Sequence, residues 1–162
     1  MIWTRHSRMM ILSGTVAVLA PGIAAAQGQA SPFSGTWHLN AAVSKPAPGE
    51  TLPSDLTTDI GRVDSAHVHW STTATSPKGE KIVHTFDNPG NGEFYSLDGT
   101  TMVSHTVSPT RLQSTFRDNH GQSDVLTCTL SGNARQMTCG GVITHQDGSV
   151  APYTDVFDRI AP

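Results

Sequence analysis

Charge is scarce in this chain of 162 residues. Asp, Glu, Lys and Arg together make up 14 %, and the 10 basic residues form no stripe or cluster. A nucleic-acid partner is therefore not expected, because phosphate backbones are held by gathered Lys and Arg. No segment carries a helical period of useful length, which leaves strands as the building material. Enzyme motifs are missing as well: there is no Gly-x-Ser-x-Gly elbow, no His-Glu-x-x-His and no phosphate-cradling glycine loop. The only glutamates, Glu50, Glu80 and Glu93, lie in or beside loops, so a Glu-based acid/base pair is not expected. Nothing in these patterns calls for a cofactor.

What is there begins with a leader. Arg5, His6 and Arg8 give a basic start, Ile11 to Ala20 an apolar run, and Ala24-Ala25-Ala26 a small-residue cleavage site. The run is too short to span a bilayer, so no stable membrane anchor is expected. Residues 1–26 read as a secretory signal peptide and 27–162 as one domain, exported to the periplasm or secreted. Removing Arg5 and Arg8 leaves 8 basic against 13 acidic residues, a net charge of −5 with His neutral. The remaining 136 residues suffice for one domain with its own core.

Short segments rich in Thr, Val and aromatics recur between turn signals such as Asp98-Gly99 and Ser76-Pro77-Lys78-Gly79. They predict an all-β fold, a single antiparallel meander β-barrel of about eight to ten strands. Gly35-Thr36-Trp37 opens the first strand, with a permissive Gly and a Trp suited to plugging a closed end. The Pro-rich stretch from Asn40 to Pro53 is expected to cross the barrel mouth or wrap its side.

Register can be argued at two hairpins. Pairing Trp70 with Phe86 gathers Val68, Trp70, Ala74, Ile82 and Phe86 on one face, whereas a one-residue slip scatters them. Pairing Leu130 with Met137 sets Cys128 opposite Cys139, within disulfide reach. In an oxidising compartment an isolated pair of cysteines reads as a disulfide.

The same parities select candidate ligand contacts: Trp70, Phe86, Phe116 and Met137 for an apolar lining that Val68 and Leu112 complete. The histidines His84, His145 and, if Val103 and Val107 face inward, His105 would orient a polar group. His67-x-His69 could grip a metal ion, since alternate strand residues share a face. That reading is disfavoured: the pair turns outward, and Trp70-Ser71-Thr72-Thr73-Ala74 lacks the Glu of a cupin site.

With the strands placed, the opening Phe33-Ser34-Gly35-Thr36-Trp37-His38-Leu39-Asn40, Ser44-Lys45 and the closing Asp155-Val156-Phe157-Asp158-Arg159 resemble a group of uncharacterised exported bacterial proteins. These are lipocalin-like proteins of the calycin type. The resemblance implies a lipocalin-like barrel closed by Gly35 and Trp37, with Arg159 of the last strand packing near the Trp. The first strand is also similar to that of fatty-acid-binding proteins, but their helical lid is replaced by Pro-rich sequence. The expected function is binding of a small apolar or amphipathic molecule. The alternatives are a barrel isomerase or hydrolase using an inward His, and an interaction module with a filled barrel.

Overall fold

A computed structural model describes residues 31–76 and 78–162. The expected signal peptide lies outside the described residues. Ten strands follow one another without a helix among the described residues: β1 (Gly35–Leu39), β2 (Asp55–Val63), β3 (Val68–Thr75), β4 (Lys81–Asn88), β5 (Tyr95–Ser96), β6 (Thr101–Ser108), β7 (Arg111–Asp118), β8 (Ser123–Leu130), β9 (Gln136–Thr144) and β10 (Val150–Ala161). All pairings are antiparallel, and the spatial order is β4-β3-β2-β1-β10-β9-β8-β7-β6-β5. The first and last strands therefore lie side by side, with Trp37 opposite Arg159. The seam of the nearly closed barrel falls mid-chain, between β4 and the β5–β6 hairpin.

Both argued registers are present. Trp70 pairs with Phe86, and Cys128 pairs with Cys139 beside the Leu130–Met137 pair. The two cysteines form a disulfide. Replacing both by Ser should lower stability by about 2–3 kcal/mol, the loop-closure entropy of so short a ring. Urea unfolding of the double variant, compared with the wild type under non-reducing conditions, measures it.

Ile82 departs from expectation. It shares the parity of Phe86 yet is 50 % exposed, as is its neighbour Val83 at 59 %. Parity assigns a face, but β4 is the edge of the sheet, and no strand on its far side covers this half of it. The run from Glu93 to Leu97 contributes only the short strand Tyr95–Ser96.

The segment before β5 prolongs its pairing with β6: Asn91 bridges to Thr106, and the Gly92 amide donates to the His105 carbonyl at 2.9 Å. The Pro-rich strap continues the place of β1 along β10, where Lys45 and Thr154 exchange backbone hydrogen bonds. It buries Ala47 against Ile143 and Ala151 and so covers one end of the barrel. The other end is filled by Phe33, Trp37, Val63 and Val68, all buried.

Candidate functional site

Alternation along the strands sends Trp70, Leu112, Phe116, Leu126, Met137 and Phe157 into the barrel. Together they line a partly open cavity of about 180 Å³. The disulfide forms part of its wall, as do Thr58 and Thr72, whose hydroxyls lie 3.0 Å apart. The hydroxyls satisfy one another, so this wall presents little polarity to a guest.

One side of the cavity rests on a buried chain of polar groups. Trp70 Nε1 donates to His105 Nε2 at 2.9 Å, and His105 Nδ1 lies 2.8 Å from Ser114 Oγ. An indole N–H can only donate, so Nε2 must accept and the neutral ring carries its proton on Nδ1. That proton goes to Ser114. The tautomer makes His105 a donor to the serine rather than a base for it, and no nucleophile is activated here. Burial pushes the His105 pKa down to about 4, which keeps the ring neutral. Phe86 braces the arrangement, with its ring 4.4 Å from the imidazole and stacked on Trp70 at 6.0 Å.

The opposite end is acidic. Asp155 lines both the cavity and the space of about 220 Å³ beneath the strap, where Glu50, Leu52 and Tyr153 also lie. Gly141 faces Tyr153 across β9 and β10, and a Cβ there would stand 2.0 Å from the tyrosine ring. A glycine at this position is what lets the ring lie flat over the strand and deliver its hydroxyl to Asp124 Oδ2 at 2.7 Å. Asp124 Oδ1 is buried with no hydrogen-bond partner. Burial, then the charges of Asp124 and Glu50, push the Asp155 pKa up to about 6. Burial likewise raises the pKa of Asp124, opposed by the Tyr153 hydrogen bond. The Tyr153 pKa is raised too, first by burial and then by Asp124.

A second opening of about 350 Å³ lies at the seam, lined by Thr72, His84, Leu97, Thr101, Phe116 and Asp124. His84 is thus placed at a side opening rather than in the cavity. Trp70, Phe116 and Met137 line the cavity itself, while Phe86, 1 % exposed, stands behind Trp70. His145 lies past the end of β9, in the turn to β10, with Nδ1 3.4 Å from Gln122 Oε1. It is not among the residues lining the cavity. His67 and His69 both point outward onto Asp87, at 2.8 and 3.5 Å. Among the described residues no group of three or more His, Cys, Asp or Glu is gathered to hold a metal ion.

Gly35, Trp37 and Arg159 meet at the filled end. The Arg159 guanidinium lies 4.1 Å from the centre of the Trp37 ring. It donates to the backbone carbonyls of Ser34, Pro32 and Ala134.

Sequence reasoning missed Asp124, Asp155 and Tyr153. A signal was present: Asp124 shares the inward parity of Leu126 and Cys128, and Asp155 that of Phe157. A carboxylate on an apolar face is the kind of residue that marks a site.

The fold and site define a hollow antiparallel meander barrel, apolar within and acidic at the end beneath its strap. No family model and no curated protein matches the chain. Among solved structures it is similar to a redesigned β barrel, b11L5F_LGL, at 14 % identity over 80 % of this chain and 92 % of that one, with a TM-score of 0.46. It is also similar to EF1p2_mFAP2b bound to DFHBI, at 11 % identity over 79 % and 94 % of the two chains, with a TM-score of 0.43. Neither likeness bears on what this chain does. No helix among the described residues is long and apolar enough to cross a membrane.

Proposed function

We propose that this is an exported lipocalin-like binding protein, with residues 1–26 as its leader, that carries a small, partly apolar molecule inside its barrel. The observation that supports the reading is the cavity of about 180 Å³ walled by Trp70, Phe116, Leu126, Met137 and Phe157. Close-packed interiors leave few voids larger than a water molecule, and an apolar cavity of about 150 Å³ is roomy enough to hold a benzene ring. The disulfide supports an oxidising compartment. Catalysis by an inward His has less support, because both ring nitrogens of His105 are engaged by Trp70 and Ser114.

Protein purified from its own host and examined by native mass spectrometry should carry an added small mass. Leu126→Trp, which fills the cavity, should lack it. A wild-type protein with no added mass, whose interior methyl resonances also stay still when 2-phenylethanol is added, would overturn the reading.

A further inference from the structure

The charges at the strap end have no counterpart. Asp124 comes from β8, Asp155 and Tyr153 from β10, and Glu50 from the strap. The facing positions on β1 and β2 are Leu39 and Leu56, and the facing cysteine of β9 is in the disulfide. Among the described residues no Lys or Arg forms a salt bridge with any of these three carboxylates, and nothing donates a hydrogen bond to the Asp155 side chain. The carboxylates instead oppose one another, and that opposition helps hold Asp155 protonated up to about pH 6. Asp124 keeps one oxygen buried and unpartnered even though Tyr153 serves the other. A buried acceptor left unmade is costly, and here it borders the space beneath the strap, which Asp155 joins to the apolar cavity.

Resting on the reading of the cavity as a ligand site, we infer that its ligand is a small cationic amphiphile: an apolar body about the size of one aromatic ring, carrying a protonated amine that faces Asp155 and Asp124. The apolar body fills the cavity left within the core. The ammonium supplies the donors and the positive charge that the protein withholds, making charge-assisted hydrogen bonds in a water-poor site. A carboxylate-bearing analogue of the same size meets repulsion at the same end. Binding the cation favours ionised Asp155, so it expels a proton when the free protein still holds one.

Three one-ring probes separate the alternatives: 2-phenylethylamine, 2-phenylethanol and phenylacetate, each titrated against the full folded domain and followed by the Trp70 indole resonance. At pH 8 the amine should bind at least about tenfold more tightly than the alcohol, as an ion pair with a desolvated carboxylate requires, and phenylacetate most weakly. At pH 5, where Asp155 holds its proton, the ratio of amine to alcohol should fall well below its value at pH 8. Asp155→Asn should lower it in the same way at pH 8. An amine no tighter than the alcohol at pH 8, or a preference untouched by Asp155→Asn, overturns the inference and leaves the cavity reading standing. If none of the three probes binds, the inference falls, and the cavity reading falls with it when the host-purified protein also carries no added mass.

Discussion

Trp37→Ala should cost about 3–5 kcal/mol of stability, the range for truncating a buried aromatic, read as a lowered urea midpoint. The site has no means of collapsing around the loss. Trp37 is fully buried, its Nε1 donates to the Phe33 carbonyl at 2.8 Å, and the Arg159 guanidinium covers its ring. Arg159 in turn ties three carbonyls from two distant segments, Pro32 and Ser34 before β1 and Ala134 in the β8–β9 turn. Gly35 completes the arrangement. Its φ is +133°, and a Cβ would stand 2.6 Å from Arg159 Nη1 and 2.7 Å from the Ala161 carbonyl oxygen, so Gly35→Ala should displace the arginine. Because the three residues share one set of contacts, Trp37→Ala with Arg159→Ala should cost less than the two single changes added together. A loss below about 1 kcal/mol for Trp37→Ala, the size of an ordinary surface or partial-burial effect, would show that this end does not hold the barrel shut.

His105→Gln should lower stability at pH 7 by about 1–3 kcal/mol, since a buried Trp70 N–H and Ser114 lose a well-placed partner. It should also change the shape of the pH curve. The folded-state pKa of His105 is down to about 4, against an ordinary value of 6.5. Between those values the unfolded chain binds the proton and the folded one does not. Stability is therefore lost as pH falls from 6.5 to 4, by roughly 3 kcal/mol in all. Asp155 acts in the opposite sense. Its folded pKa is raised to about 6, so the folded state holds the extra proton, and stability rises as pH falls from 6 to 4. The two slopes oppose each other in the wild type. His105→Gln should expose the rising limb on acidification, and Asp155→Asn should steepen the fall. Urea unfolding at pH 7, 5.5 and 4 reads both, and parallel curves for all three proteins would refute the assignment.

The fold was legible where apolar residues keep strict parity beside a defined turn. Trp70 opposite Phe86 and Cys128 opposite Cys139 are the examples, because a slip in either would expose an entire face. Parity says nothing about whether a neighbouring strand exists. Ile82 has the inward parity and is exposed, since β4 is an edge. Nor does parity survive the end of a strand: His145 continues the count from Ile143 but sits one residue past Thr144, in a turn. At the site, parity put Trp70, Leu112, Phe116 and Met137 along the cavity while Val68 and Phe86 pack outside it, and His105 was reached through Val103 and Val107. The acidic end was not legible, because alternation puts Asp124 with Leu126 and Asp155 with Phe157 without showing that both come to lie at the strap end. The partner of Asp124, the Tyr153 hydroxyl laid over Gly141, depends on a close approach that no periodicity encodes.

The position of the seam gives the molecule the mechanics of a bound book. β1 and β10 form the spine, stitched by residues more than a hundred positions apart, while β4 and β5 are the free edges of the two covers. Parting the covers breaks no regular ladder. It undoes the Trp70-to-His105 hydrogen bond, which joins β3 to β6. His105 takes that bond, and so serves as the clasp. The side opening where His84, Leu97 and Thr101 meet lies along the same free edge. That opening reaches Trp70 and Phe116 while the spine stays sewn, and the imidazole that braces the cavity wall also ties one cover to the other.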